Sequence, residues 1–448
     1  MRHPGKSRES PPDDRLEMKE SHKLGETIAL ALYGATLRLL IPAVLLRYWW
    51  RGRVEPMYRH AMGERLGRYP GQADSGAVWL HAVSLGETRA AAALIDALRA
   101  LRPGMRLLLT HGTATGRAAG AALLREGDAQ VWLPLDTPGA VRRFLAHFRP
   151  AVGVLMETEI WPNLLHAARA AGLQMVLANA RLSERSQRKG ERFTLLLRPA
   201  LRSLSLVLAQ TAVDAQRFEA SGARRLEVVG NLKFDMAPDP TRLAQGRAWR
   251  DALGRHVVLA ASTREGEEAA LLEAWVGLPQ PRPLLLIVPR HPQRFDEVAA
   301  LVHGSGLSYL RRSQWAGAPG PAAHDADVWL GDSVGEMAVY YAAAHVALLG
   351  GSFAPLGGQN LIEAAACGCP VVLGPHTFNF ADAAELALEA GAAIRVTDLA
   401  QGVATAAALL AQGDFARSSE RSIAFARRHG GAAARMALMI TGLLSKPK

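Results

Sequence analysis

From Val78 onward the chain alternates short apolar runs with longer stretches of helical periodicity. The runs VWLHAV (78–83), RLLLTH (106–111), AQVWLP (129–134), AVGVLM (151–156), MVLANA (175–180), LVLAQ (206–210) and LEVVG (226–230) predict a first series of strands. Helical stretches such as Thr88 to Leu101 and Pro138 to Phe148 lie between them. The runs do not alternate strictly, which marks strands buried on both faces of a parallel sheet. A second series follows in VVLAAS (257–262), LLLIVP (284–289), VWLGD (328–332), VALLGG (346–351), PVVLG (370–374) and AAIRV (392–396). Two doubly wound α/β domains in tandem are the economical reading. Their join is expected at DMAPDP (235–240), where two prolines and two aspartates break both patterns. The last helical stretch, Ser418 to Lys446, is followed by no strand and could pack back across that join.

Ahead of the strands, Thr27 to Leu46 reads TIALALYGATLRLLIPAVLL, a length that crosses a bilayer as a helix, interrupted only by Arg38. The leader before it carries six Lys/Arg and six Asp/Glu and offers no cleavage site, which argues against a signal peptide. After it come Arg47, Arg51, Arg53, Arg59, Arg65 and Arg68 against only Glu55 and Glu64, a flank that keeps the body on the cytoplasmic side. Thr27, Ala31, Gly34, Ala35 and Arg38 form one small or polar stripe, so the helix suits a flat or protein-packed position as well as a spanning one. Tyr48, Trp49 and Trp50 stand where aromatic belts sit. A buried core helix is the remaining alternative.

The 448 residues carry a net charge of +11, which favours anionic partners without choosing among them. The only cysteines, Cys367 and Cys369, straddle one glycine, so a disulfide or zinc site is not expected, and buried thiols in a reducing compartment are.

Ligands of such folds bind at the carboxyl ends of the strands. After the first strand, Ser84-Leu85-Gly86-Glu87 reads either as a capping box or as a turn presenting Glu87 as a general base. After AVGVLM, Glu157 and Glu159 crowd one strand end before Pro162, close enough to raise a pKa if buried. NARLSERS (179–186) is a basic loop suited to phosphate or to solvent. In the second half, strand ends carry Ser262, then Pro289, Arg290 and His291, then Gly335, Glu336 and Met337. A glycine-rich segment with Gly351, Ser352 and Gly358 leads into a short helix at Asn360, Leu361, Ile362 and Glu363. Glycines let a backbone approach a ligand, a helix start favours an anion, and Arg290 suits a phosphate. Asn360 and Glu363 also make a capping pair. The segment matches neither a dinucleotide nor a Walker fingerprint, and no metal motif is legible.

The strings HAVSLGE, METEIWPN, NARLSERS, PRHPQRF, GDSVGEM and GGSFAPLGGQNLIEAA resemble, in order and spacing, the motif series of 3-deoxy-D-manno-octulosonic acid (Kdo) transferases, from about Ile28 to Val396. The resemblance implies a GT-B architecture, two Rossmann-like domains facing across a cleft. It implies an inverting, metal-independent transfer of Kdo from CMP-Kdo to the glucosamine disaccharide of a lipid A precursor, at the cytoplasmic face of the inner membrane, with no cofactor. Glu87 would be the general base, with Glu157 and Glu159 in the active site. Nucleotide contacts would fall on Pro289, Arg290, Gly335, Glu336, Met337, Asn360, Leu361, Ile362 and Glu363. Gln359 stands where the family often has histidine. The implied organisation is a polar extension (1–26), a membrane-anchor helix (27–50), an acceptor domain (51–235), a nucleotide-sugar domain (236–417) and a helical tail (418–448). The partners are CMP-Kdo, the lipid acceptor and inner-membrane lipid.

Spacing alone does not separate cytidine from uridine donors, so a transferase using a UDP-sugar is the rival enzyme. A non-catalytic nucleic-acid binder fits the charge, but no such module is present and crowded carboxylates would repel a polyanion.

Overall fold

The structure, a computed structural model, describes residues 12–444, with side chains from residue 23. The start of the polar extension and the last four residues of the tail lie outside the described residues. The chain divides into two units, one running to Asp235 and resumed from Gly431, the other Met236–Gly430.

In the first unit β1 (Val78–His81), β2 (Leu107–His111), β3 (Ala129–Trp132), β4 (Val152–Met156), β5 (Gln174–Ala180), β6 (Leu206–Ala209) and β7 (Leu226–Val228) form one sheet in the order β3-β2-β1-β4-β5-β6-β7. Every pairing is parallel, with Val78 opposite both Leu107 and Val152. Side chains alternate between two cores, because successive residues of a strand point to opposite faces. Val78, Leu80, Leu107 and Leu109 pack on one side with helix Leu85–Leu101 and helix Ala432–Leu444. Trp79, Leu108 and Leu155 pack on the other with helices Pro138–Phe148 and Pro162–Ala170. Both faces are dry, which is why the runs lack a polar alternation.

The second unit repeats the scheme with β8 (Val257–Thr263), β9 (Leu284–Pro289), β10 (Tyr309–Arg311), β11 (Val328–Leu330), β12 (Val346–Leu349), β13 (Val371–Leu373) and β14 (Ala393–Arg395), ordered β10-β11-β9-β8-β12-β13-β14 and again parallel. These are the two doubly wound units expected from the apolar runs. Strand β10 has no counterpart in the apolar pattern. It is three residues at a sheet edge, none of them buried, so it leaves no hydrophobic run.

The tail expected as one segment from Ser418 is two helices, Phe415–Arg428 in the second unit and Ala432–Leu444 in the first. The chain turns at Gly430-Gly431, where Gly431 has φ 85°. Asp235 then caps the returning helix, accepting from the N–H groups of Gly431 and Ala433.

The N-terminal helix runs Pro12–Arg51. Its stretch Lys23–Arg51 is long and apolar enough to cross a membrane, and only 6% of its most apolar window is buried, which removes the core-helix alternative. One face rests on the first unit along Leu30, Tyr33, Gly34, Leu37, Ile41 and Tyr48. Of the small or polar stripe only Gly34 is buried, and Thr27, Ala31, Ala35 and Arg38 are exposed. A Cβ on Gly34 would lie 3.1 Å from Pro138, so glycine there sets the approach, and larger side chains make the remaining contact. Arg65, counted with the basic flank, is instead buried between the rings of Tyr48 and Trp132, at 3.8 and 4.1 Å.

Candidate active site

In each sheet the chain winds outward, then returns to the far side of its first strand. Loops after β1 and β4 therefore diverge, as do those after β8 and β12, and each pair opens a crevice at the carboxyl edge. Glu87 and the Glu157–Glu159 pair stand on the first pair of loops. Ser262 and the glycine-rich segment stand on the second.

Glu87 is anchored at the start of helix Leu85–Leu101. Its Oε2 accepts from Val83 N–H at 2.9 Å and its Oε1 from the Ser84 hydroxyl at 3.0 Å, while Ser84 Oγ accepts from Glu87 N–H at 3.3 Å. The capping arrangement is thus present. It does not exclude a base, because an ionised carboxylate offers about four lone-pair positions and these bonds do not fill them all. The same bonds hold the group in one rotamer. Burial raises the Glu87 pKa above the ordinary carboxylate range, and the charge of Glu157 adds to this against the bonds from Val83 and Ser84.

Glu157 has φ 57°, a left-handed conformation costly for a residue with a Cβ, and its N–H is held by the Ala178 carbonyl at 2.9 Å. That turn brings Glu159 back over β1, with Oε2 3.9 Å from His81 Nε2. His81 is completely buried, and burial drives its pKa down to about 3, so the ring is neutral. Its Nδ1 lies 2.9 Å from the Thr110 hydroxyl and 3.1 Å from the Thr110 carbonyl, and its Nε2 faces Glu159. Burial, followed by the charge of Glu87, pushes Glu159 up to about 7. A raised carboxyl pKa means the folded chain holds this proton more tightly than the unfolded chain. Stability is therefore full below about 4.5 and is lost as pH rises through about 7. Glu159→Gln is expected to raise stability by about 2–3 kcal/mol at pH 8 and to leave it unchanged at pH 4. Urea unfolding at the two pH values checks this, and an equal effect at both would show that no buried charge had been relieved.

Sequence reasoning missed Lys233. Burial lowers its pKa, opposed by the charges of Glu157 and Glu87, so it stands among the carboxylates. A ring of amide bonds holds it there. Asn179, at φ 53°, accepts from Leu232 N–H at 3.0 Å, Asn231 accepts from Lys233 N–H at 3.0 Å, Gln210 receives Asn231 Nδ2 at 2.9 Å, and Gln210 Nε2 returns to the Asn179 carbonyl at 2.9 Å. The available signal was a cation in NLKFD just after a strand. Removing it should raise the pKa of Glu87 further. The acid limb of the kcat/KM profile is expected to move to higher pH in Lys233→Met, with roughly tenfold lower activity at pH 7, and to return toward its place in Lys233→Arg. A limb unmoved in Lys233→Met would separate the lysine from the base.

In the second unit the glycine-rich segment is held by bonds within the protein. The buried carboxylate of Glu267 accepts from Gly351 N–H at 2.8 Å, Phe353 N–H at 3.3 Å, Ala354 N–H at 3.2 Å and Arg264 N–H at 2.9 Å. Those donors are spent on the protein itself. Ser352 is buried, its hydroxyl donating to the Leu349 carbonyl and accepting from Gly374 N–H at 2.9 Å. Gly358, φ 75°, gives its N–H to the Gly351 carbonyl at 2.8 Å. These bonds of Gly351, Ser352 and Gly358 thus run within the protein and shape the loop. Asn360 caps a helix of only six residues through Ile362 N–H at 3.2 Å, and Leu361 and Ile362 point into the core, with Glu363 half-buried behind them.

What stays accessible is more selective. Arg290 is exposed, with Nε on the Gln359 side-chain oxygen at 3.2 Å, so the glutamine steers the guanidinium from the neighbouring strand-end loop. Pro289 ends β9 beside Thr263, and His291 is half-exposed after it. Ser262 has φ 57°, and a Cβ on Gly350 would meet the Ser262 carbonyl oxygen at 2.3 Å, which requires glycine. Glu336 is held by Arg312 at 3.0 Å, Ser333 and Tyr340. Burial opposes its ionisation, but these partners outweigh it and keep the pKa below the usual range. Gly335, φ 86°, is tied to Arg242 through its carbonyl, and Met337 is half-exposed at the helix start. Cys367 and Cys369 are free and buried, and burial pushes the Cys367 thiol up to about 12.

The family profile described as 3-Deoxy-D-manno-octulosonic-acid transferase (kdotransferase) matches residues 60–236. A 3-deoxy-D-manno-octulosonic acid transferase of Bordetella pertussis is 50% identical over 420 residues, 90% of this chain and 97% of that one. The chain belongs to the Kdo transferase family. A second member, from Haemophilus influenzae, is 32% identical over 83% of this chain and 88% of its own length. Among solved structures, Anabaena Alr3699/HepE in complex with UDP-glucose is similar with a TM-score of 0.54 at 16% identity, covering 82% of this chain and 99% of that one, a likeness of fold. The chain is a glycosyltransferase of the GT-B type.

Proposed function

We propose that this Kdo transferase takes the sugar from CMP-Kdo and places it on the glucosamine disaccharide of a lipid A precursor, with inversion and without a metal, at the cytoplasmic face of the inner membrane. The observation that carries the reading is Glu87, oriented by Val83 and Ser84 and raised in pKa by burial beside Glu157. A base of that kind takes the proton of the acceptor hydroxyl as its oxygen attacks the anomeric carbon. Glu159, protonated over part of the neutral range, lowers the negative charge that an acidic sugar meets on entry. Lys233 and Arg181 add positive potential there. Arg290, steered by Gln359, would meet the phosphate of the departing CMP. The apolar helix and the outward-facing arginines of its flank favour attachment to an anionic membrane surface from the cytoplasmic side.

The test is incubation of purified protein with CMP-Kdo and a tetraacylated lipid A precursor in buffer containing chelator. The expected result is a lipid product with one or more added Kdo masses, and CMP in equal amount. Product with UDP-sugars but not CMP-Kdo would overturn the donor. Activity lost to chelator and restored by Mg²⁺ would overturn metal independence.

A further inference from the structure

Between the N-terminal helix and the body of the first unit lies a hollow of about 960 Å³. The helix touches the body on either side of it. Glu26 pairs with Arg202 at 3.7 Å, and nine residues on from Gly25 a Cβ on Gly34 would press on Pro138 at 3.1 Å. Between these contacts Leu30 and Ala31 roof the space, and its wall is built of Leu145, Ala146, Ala167, Ala170, Leu195 and Leu196. The alanines leave room where larger side chains would close the gap.

Three cations line the same hollow, Arg142, Arg149 and Arg169. None has a carboxylate partner among the described residues, and Arg142 donates only to the Pro138 carbonyl, at 3.2 Å. Arg149 and Arg169 stand at helix C-termini, where a cation also complements the helix dipole. Arg142 stands in the second turn of its helix, where the dipole does not account for it, and an anion accounts for the set together. The helix and the body nearby expose apolar side chains. Leu24, Ile28 and Leu32 are 62%, 50% and 63% exposed on the helix, and Phe193 is 61% exposed on the body beside it. An apolar rim of this kind faces lipid.

We propose that the hollow binds one anionic glycerophospholipid of the surrounding membrane, its phosphate held by Arg142, Arg149 and Arg169 and one acyl chain laid along the alanine and leucine wall beneath the helix. Two of the three arginines lie at the far ends of helices Pro138–Phe148 and Pro162–Ala170 from the carboxylate crevice, the longer being about 16 Å. A phosphate there stands at the other end of those helices from the crevice, which favours a resident lipid over the acceptor under reaction. The choice of a resident lipid over the acceptor rests on the proposed reaction at the carboxylate crevice, whereas the anion site itself does not.

The full chain in a neutral detergent is titrated with phosphatidylglycerol or phosphatidylcholine and followed by thermal shift and native mass spectrometry. Phosphatidylglycerol is expected to bind one to one and raise the melting temperature, with phosphatidylcholine ineffective. Arg142→Glu/Arg149→Glu/Arg169→Glu, all at exposed positions, should weaken the effect at least roughly tenfold. Ala146→Trp, also exposed, should block it by filling the wall, while attachment to vesicles through the helix persists. Binding undisturbed in both variants overturns the proposal. An equal shift with inorganic phosphate would make the site a simple anion site and overturn the lipid. A shift given only by lipid A precursor would assign the hollow to the acceptor, and the proposal would also fall.

Discussion

Glu87→Gln is expected to lower kcat by at least about 10²-fold while the protein stays folded. The amide keeps one oxygen to accept from Ser84 or Val83, so most of the capping geometry survives and about 1 kcal/mol of stability is lost. The proton acceptor does not survive. Glu87→Ala removes both functions and should add a helix-start defect of about 0.5–2 kcal/mol. The pair of variants separates the two readings of the SLGE turn. Glutamine with near-native turnover would leave Glu87 as a cap alone, and the base would have to be sought at Glu157. Steady-state kinetics with CMP release as the readout, beside thermal melting of both variants, supplies the comparison.

The largest stability effect is expected away from that site. Arg294 meets Glu268 in a two-pronged pair, Nη1 to Oε1 at 2.6 Å and Nη2 to Oε2 at 3.1 Å, with Glu268 completely buried. Arg294→Ala strands that carboxylate in the core and should cost about 3–5 kcal/mol. Arg294→Met/Glu268→Leu should recover most of the loss, because well-packed apolar groups replace a buried pair at little net cost. Denaturant unfolding of the single and double variants measures both numbers. A double variant no better than the single would show that Arg294 acts through Glu297, which it also contacts at 2.7 Å, rather than through Glu268.

Arg294 also shows how a motif divides its labour. PRHPQRF contains two arginines, equal by composition. Arg290 is exposed and steered by Gln359, whereas Arg294 is buried and spent on packing. The glycine-rich segment splits in the same way. Its glycines are required by geometry, but the carboxylate they cradle is Glu267, some 84 residues earlier in the chain. No spacing rule links the two.

Hydrophobic periodicity and strand-end punctuation are local, so the strands of both sheets were legible except the unburied edge strand Tyr309–Arg311. The N-terminal apolar helix, and the gathering of polar motifs at strand ends, were legible for the same reason. Each depends on residues within a turn or two of one another, where backbone geometry alone relates position to direction. Tertiary structure decided which strand ends are neighbours, and hence that Glu87, Glu157 and Glu159 share a crevice with Lys233 and a neutral His81. It also decided which face of the first helix meets the body, and that a basic, alanine-walled hollow lies beneath it. Those outcomes depend on burial and on charges brought close from distant parts of the chain, and a pKa or a cavity exists only once the neighbours are in place.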